Sequence, residues 1–393
     1  MSIAQNNSPN LRLIMLVVMV FVAGFVQGML LPLLAIVLEQ AGYSSAMNGM
    51  NAVALYIGVL LASPFIEHPV RKYGYKPVIS IGLIVIIATL LLFPLWQSFW
   101  FWFVLRLIIG VADNMVHFST QVWITSTSSK AVRGRNIAIY GLAFSAGFAG
   151  GPLMTNLLAI DERLPFVIAA LFCAIIWLIL LKIRNEWPDN TVETIQQSGT
   201  LGRYWLVIKY GWFAFLPPLA FGFMEATIHG SYPIYALLIG IDVEWLSIIL
   251  PAFVIGGVIT QIPLGILSDR VGRKKVLLIL AILGAGIFLT LPQYEEHIPL
   301  LIIAFLVSGG LLGSFYSLGL MYLADLLPKQ LLPTGNVLIA ISFSIGSMLG
   351  PLIGGVLIDW IGEGSLYYAI GCLLLIIISA GVIFRPTFHQ EEA

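Results

Sequence analysis

Charge is scarce in this sequence. Of 393 residues only 10% are Asp, Glu, Lys or Arg, 19 acidic against 19 basic. A soluble domain carries roughly 25%. So few charged side chains cannot cover a soluble protein of this size, which would expose apolar patches and aggregate. A soluble enzyme is therefore excluded. The balance of signs leaves no basic field, so no nucleic-acid partner is expected. Cysteine is equally rare. Cys173 and Cys372 both lie in apolar runs, which suggests neither a disulfide framework nor a metal knuckle. No H-E-x-x-H, G-x-S-x-G or G-x-x-x-x-G-K-[ST] occurs, so no catalytic residues, metal or nucleotide-driven step are expected, and no cofactor. No cleavable signal peptide is evident. Residues 1–10 are polar and uncharged, and the apolar run behind them is too long for a signal's hydrophobic region.

What the sequence has is apolar length: 59% of it is hydrophobic, with a mean hydropathy of +0.98. A membrane-spanning helix needs about 20 apolar residues. Twelve such runs are predicted, at 12–38, 46–66, 76–96, 98–123, 136–158, 164–183, 207–238, 244–267, 276–292, 298–323, 331–357 and 364–384. The one long polar interior stretch, 184–205, divides them six and six. The predicted organisation is an N-terminal six-helix bundle (1–183), a cytoplasmic linker (184–205) and a C-terminal six-helix bundle (206–393). With no sizeable domain outside the membrane, a receptor is disfavoured.

Basic residues near span ends resist translocation and set orientation. With a cytoplasmic N-terminus, every Lys and Arg except Arg106 and Arg163 falls inside or at the inner boundary. The outer loops then carry Glu39, Asp161, Glu162, Asp242, Glu244, Glu295, Glu296, Asp359 and Glu363. Both termini are expected in the cytoplasm.

The two halves repeat. Gly74 recurs as Gly272 and Gln27 as Glu225, each 198 residues on; Gly151-Pro152 recurs as Gly350-Pro351 and Cys173 as Cys372, each 199 on. A shared offset across half the chain argues for a duplicated six-helix unit, an architecture suited to alternating access.

A charge in hydrocarbon costs at least about 2.5–3.5 kcal/mol, so an intramembrane ionisable residue must face protein or water. Three lie deep: Arg106, Asp113 and Glu225. In the fourth span Arg106, Gly110, Asp113, His117 and Gln121 fall on one helical stripe, with Asn114 beside it. One reading is a cavity lining, with Asp113 as proton carrier and Arg106 as an anion contact or partner of an acid. The other is a polar network tying this span to its neighbours. In the seventh span Glu225 and His229 share a face, between Pro217-Pro218 and Pro233. Glu225 either binds substrate or proton, or bonds across helices. Tyr56, Trp123, Trp212, Tyr232 and Tyr316 are candidates to stack on an amphipathic substrate, or packing residues.

The loop after the eighth span reads Gly265-Ile-Leu-Ser-Asp269-Arg270-Val-Gly272-Arg273-Lys274-Lys275. It resembles the G-x-L-x-D-R-x-G-R-[KR] motif of the major facilitator superfamily, and the resemblance covers nearly the whole chain. Arg106-x-x-x-Gly110 and Arg133-Gly134-Arg135 are similar to further motifs of that family. The resemblance implies an all-α membrane protein of 12 transmembrane helices in two pseudo-symmetric bundles. It also implies a gating loop, with Asp325 paired to the cationic cluster. The first-half loop departs from the motif, since Arg71 stands in the acidic position before Gly74. Gly346-x-x-x-Gly350-Pro351-x-x-Gly354-Gly355 resembles the family's antiporter motif but lies in the eleventh span. The fifth span carries only the shorter Gly147-x-x-x-Gly151-Pro152. Both are read as close-packing or helix-bend motifs. A Glu in the seventh span resembles the drug- and metabolite-efflux members. The expected function is a secondary transporter, a monomer in the bacterial cell membrane, with a small-molecule substrate, protons and the lipid bilayer as partners. Proton-coupled efflux of a small organic molecule by alternating access is expected, with proton-coupled uptake of a small metabolite as the alternative.

Overall fold

A computed structural model describes residues 9–129, 132–188, 200–328 and 331–385. Half of the expected linker (189–199), Lys130 and Lys329 lie outside them. Among the described residues there is no β-strand. Eleven helices are long and apolar enough to cross a membrane, and a further apolar helix, Leu164–Leu180, has 17 residues. Their apolar side chains also face outward: Leu171 and Leu178 are each 55% exposed, and Ile262 66%. Such surface requires lipid.

The chain forms two compact units. Unit 1 comprises Met1–Gly42 with Met50–Glu193, and unit 2 comprises Tyr43–Gly49 with Thr194–Ala393.

Unit 1 contains α1 (Pro9–Gln40), most of α2 (Ser45–Ala62), α3 (Glu67–Tyr73), α4 (Tyr75–Leu92), α5 (Phe99–Thr127), α6 (Arg133–Gly150) and α7 (Leu164–Leu180). The expected run 46–66 ends early, at Ala62. Pro64 follows, and a proline cannot donate to the helix ladder. The run 136–158 is α-helical only to Gly150, then continues as a 3-10 helix, Gly151–Ala159, with Pro152 in its first turn.

Unit 2 contains α8 (Thr200–Gly211), α9 (Leu216–Gly230), α10 (Tyr232–Leu238), α11 (Val243–Val271), α12 (Arg273–Thr290), α13 (Ile298–Leu312), α14 (Phe315–Leu326), α15 (Leu332–Ile361) and α16 (Ser365–Ile383). The expected run 207–238 is therefore not one helix. Pro217-Pro218 open α9 and Pro233 opens α10, each in a first turn where the missing N–H is tolerated. The counterpart of the α2–α3 break is absent, because α11 runs unbroken through Pro251 and Pro263. The head of α2 belongs to unit 2, where Ser45 and Ala46 N–H donate to the Asp359 carboxylate at 3.0 and 2.9 Å.

The repeat is visible as backbone contact. In unit 1 a Cβ on Gly147 would overlap the Phe21 carbonyl of α1, and one on Gly24 the Phe144 carbonyl of α6. In unit 2, Gly346 meets the Leu219 carbonyl of α9 and Gly222 the Phe343 carbonyl of α15 in the same way. A second pair of crossings joins Gly58 of α2 to Leu107, and Gly110 of α5 to Leu55. Its counterpart joins Gly256 of α11 to Leu306, and Gly309 of α13 to Phe253. Every glycine here recurs 198 or 199 residues on. Small residues let membrane helices approach to backbone contact, where van der Waals packing replaces the missing hydrophobic drive.

This packing makes a prediction. Gly147→Leu inserts a side chain where a backbone already sits and should cost about 1–3 kcal/mol or more, as overpacked cores do. Gly141 lies in the same helix with open space around it, so Gly141→Leu should be close to neutral. Thermal melting of the two purified variants in detergent separates them, and equal melting temperatures contradict the packing account.

Candidate functional site

In unit 1 the ionisable stripe of α5 divides among its neighbours. Arg106 (2% exposed) and Asp113 (8%) are buried, and both line a small crevice with Gln27, Val26 and Leu30 of α1 and Leu55 of α2. Arg106 Nη2 donates to the Leu30 carbonyl at 3.1 Å and reaches the Leu31 carbonyl at 3.5 Å. Its Nη1 is buried without a hydrogen-bond partner. The crevice thus holds a cation not fully satisfied by backbone, with a carboxylate on the same wall. Gly110 brings α2 against α5 here, so the R-x-x-x-G spacing serves packing as well as charge placement.

His117 turns from the crevice toward α6. Its Nε2 is 3.5 Å from Asp113 Oδ1, and its Nδ1 is 2.8 Å from the Tyr140 hydroxyl. Asn114 turns toward α2, donating to the Val59 carbonyl at 2.8 Å and to Ser63 Oγ at 2.9 Å. It ties α5 to the last turn of α2, whose Val59 carbonyl also accepts from the Ser63 N–H at 3.1 Å. Gln121 is exposed.

In unit 2, Glu225 is half-buried on α9, as Gln27 is on α1. The Glu225 backbone carbonyl accepts from His229 Nδ1 at 2.9 Å, and its carboxylate has no hydrogen bond or ion pair among the described residues. His229 is buried, its ring edge-on to Phe253 of α11. The shared face of Glu225 and His229 therefore does not bring the carboxylate and the ring together. The aromatic candidates are largely taken up in packing: Tyr232 against Phe305, Trp212 against Phe384, Tyr316 against Phe343. Tyr56 is an electrostatic neighbour of Arg106.

The loop motifs differ between units as the sequence does. In unit 2, Arg273 Nη2 meets Asp269 at 2.9 Å, and its Nη1 meets Asp325 at 2.5 Å and the Met321 carbonyl at 2.7 Å. The expected pairing of Asp325 with this cluster is through Arg273; Arg270 is exposed, and Gly265 has open space around it. In unit 1, Arg71 pairs with Glu67 of its own short helix, at 2.7 Å. Gly74 and Gly272 both turn the chain with positive φ, 86° and 101°, which favours glycine.

Glu186 is a feature the sequence reading left in the linker. Its Oε1 takes Arg12 at 2.6 Å, its Oε2 the Trp123 indole N–H at 2.8 Å, and its carbonyl the Tyr75 N–H at 3.0 Å. Asn185 beside it accepts from Lys76 N–H and donates to the Tyr73 carbonyl. The acid missing from the first-half loop is in effect supplied after the sixth apolar run. Lys76 Nζ also caps the Leu181 and Ile183 carbonyls, and its repeat mate Lys274 caps the Phe384 carbonyl.

At the opposite end of unit 2, Tyr235 donates to Glu295 Oε2 at 2.6 Å and accepts from Gly364 N–H. Partial burial, with Glu363 and Glu296 nearby, raises the Glu295 pKa above the ordinary carboxylate value. A raised carboxylate favours folding when protonated, so stability is present at low pH and lost as pH rises through the folded pKa. Glu295→Gln, which keeps the acceptor for Tyr235, should raise the melting temperature near pH 7 by about 1–2 °C after solvent screening. It should also remove part of the stabilisation wild type gains on acidification. An unchanged pH profile of melting contradicts this.

The comparisons agree with this architecture. The family model described as Major Facilitator Superfamily matches residues 16–244 and 207–392. The chain is 45% identical over 372 residues to the uncharacterized MFS-type transporter YfkF of Bacillus subtilis (strain 168), covering 94% of this chain and 95% of that one. A crystal structure of the nucleoside transporter NupG shares the fold with a TM-score of 0.76 at 15% identity, over 95% of this chain and 98% of that one. A bacterial homolog of the human lysosomal transporter Spinster, inward-facing and unoccupied, does so with a TM-score of 0.70 at 17% identity, over 96% and 95%. Its charge-poor helices, duplicated glycine crossings and full-length match identify the chain as a multi-pass membrane transporter belonging to the major facilitator superfamily.

Proposed function

We propose that the chain is a proton-coupled secondary transporter that exports a small organic molecule by alternating access. The observation that carries this reading is a pair of carboxylates within apolar helices, neither paired to a Lys or Arg. Asp113 has only His117 at 3.5 Å among charged partners, and the Glu225 carboxylate has no partner among the described residues. A carboxylate within a membrane span can carry a proton, and a cationic or amphipathic substrate can take that proton's place. Within unit 1, Arg106, with one nitrogen unsatisfied, and Gln27 stand with Asp113 to meet polar groups on the cargo. His117 stands beside Asp113, while His229 bonds the Glu225 backbone carbonyl, Asn114 turns toward α2 and Gln121 lies exposed further along α5.

The same reading counts Leu164–Leu180 as the twelfth span. Its 17 residues rise about 26 Å as a helix, within the roughly 17–25 residues that cross a bilayer. It holds the two six-helix bundles at 1–183 and 206–393 and both termini in the cytoplasm of a bacterial cell, the chain working as a monomer. Gly265, Asp269, Arg270, Gly272 and Arg273, with Gly74 and Arg71 in the other half, serve as the gating loops. Gly151-Pro152 and Gly350-Pro351 serve as the flexing points.

Reconstitution into vesicles with an imposed pH gradient tests direction, coupling and cargo together, using a panel of organic cations, anions and neutral molecules. One proton exchanged across one pH unit supports about tenfold accumulation. Wild type should reach that ratio, in the direction that identifies export. Asp113→Asn and Glu225→Gln should insert normally and lose accumulation. Full gradient-dependent accumulation by both variants removes the carboxylate mechanism, and accumulation in the opposite sense makes the protein an uptake symporter.

A further inference from the structure

Tyr140 belongs to none of the motifs above, yet it completes a line of three ionisable side chains from α5 to α6. Asp113 Oδ1 is 3.5 Å from His117 Nε2, and His117 Nδ1 is 2.8 Å from the Tyr140 hydroxyl. Phe144, one turn along α6 from Tyr140, stands edge-on to the imidazole at 5.1 Å between centroids and holds the ring in this orientation. The two ends of the ring differ. A 2.8 Å separation is a full hydrogen bond, whereas 3.5 Å is not, and Nε2 is buried with no hydrogen-bond partner. Tyr140 itself is half-buried. Its hydroxyl can donate or accept, a freedom neither Asn114 nor a backbone group offers at that position.

We propose that Tyr140 is the mouth of a proton relay, passing protons through its hydroxyl to His117 and Asp113. The inference rests on the proton-coupled reading above and deepens it. In the unloaded state Tyr140 O–H donates to the bare Nδ1, and the Nε2–H faces the Asp113 carboxylate. To load, a proton from water joins the Tyr140 oxygen while the hydroxyl's own proton passes to Nδ1. The hydroxyl is regenerated and turns to accept from Nδ1–H. One proton has been added, and the imidazole has become an imidazolium beside a carboxylate. The 3.5 Å contact is thereby converted into an ion pair with a charge-assisted hydrogen bond within reach. The Nε2 proton can then pass to Asp113, leaving a neutral acid and a neutral ring. Unloading reverses each step.

The titratable groups around the relay are few. On α5 itself they are Asp113 and, further along, Arg106. From α7, Cys173 is an electrostatic neighbour of Asp113, as is Tyr140. From α2, Tyr56 neighbours Arg106. From α1 the crevice receives Gln27, which does not titrate, and Tyr75 and Lys76 of α4 lie at that helix's first turn. Lys76 Nζ is engaged by the Leu181 and Ile183 carbonyls.

Nitrogen NMR of the full-length protein in lipid nanodiscs, with its five histidines labelled in the ring, tests the relay directly. His117→Gln assigns the resonance. With the relay unloaded, at high pH, wild type should favour the Nε2–H tautomer. Tyr140→Phe keeps the aromatic ring and should shift the tautomer ratio by about fivefold or more, the equilibrium equivalent of one hydrogen bond. Phe144→Leu removes a packing contact but keeps the hydroxyl, and should leave the ratio near wild type. An unchanged ratio in Tyr140→Phe overturns the proposal, as does an equal shift in Phe144→Leu, which assigns the effect to packing. The coupling reading fails separately, in the vesicle accumulation of Asp113→Asn and Glu225→Gln.

Discussion

A charge placed against lipid tails costs at least about 2.5–3.5 kcal/mol, and that constraint orders the whole chain. It keeps nearly all Lys and Arg at or near the ends of the apolar helices. It also turns the few ionisable groups within the spans away from lipid: Arg106 onto the carbonyls of Leu30 and Leu31, Asp113 toward His117, Glu225 to a half-buried position on α9. An inward-facing charge needs helices close enough to shelter it. The glycine crossings of Gly24 with Gly147, and of Gly58 with Gly110, supply that closeness in unit 1. Gly222 with Gly346, and Gly256 with Gly309, supply it in unit 2.

On this shared frame the two units carry different side-chain contacts. Unit 2 keeps a three-way ion cluster of Asp269, Arg273 and Asp325 at its loop. Unit 1 has lost the loop acid and draws Glu186 in from beyond its last apolar helix to hold Arg12 and Trp123. Pro152 marks a change from α to 3-10 helix, while its mate Pro351 sits within an unbroken α-helix. Gln27 and Glu225 present a neutral and an acidic group at equivalent positions. A duplicated scaffold thus carries unlike chemistry in its halves.

The helical architecture and its duplication were legible in the sequence because both are written in long periodic patterns. Apolar runs announce helices, and a single offset aligns Gly74 with Gly272 and Gly151 with Gly350. The α5 stripe was legible for the same reason, since spacings of three and four fix a helical face. What was not legible depends on other helices. Tyr140 has no spacing relation to His117, and only the approach of α6 to α5 brings them together. Asn114 lies beside the stripe in projection, yet its amide bonds the Val59 carbonyl and Ser63 of α2. His229 shared a face with Glu225 in projection, but its Nδ1 bonds the backbone and its ring meets Phe253. Glu186 was hidden by composition, because a polar stretch after a span reads as linker until its partners are known. The helix breaks at Pro64 and between α9 and α10 follow from prolines in plain view, though Pro251 and Pro263 break nothing. Proline alone therefore does not decide the outcome.

The central claim is that Asp113 and Glu225 are carboxylates that take up and release protons inside the membrane. A lipid-soluble carbodiimide reacts with protonated carboxyl groups from the bilayer side, and peptide mass spectrometry locates the adducts. The account predicts adducts on Asp113 and Glu225 in vesicles, declining as pH is raised. Absence of any adduct at both positions, at every pH where the protein remains folded, contradicts it.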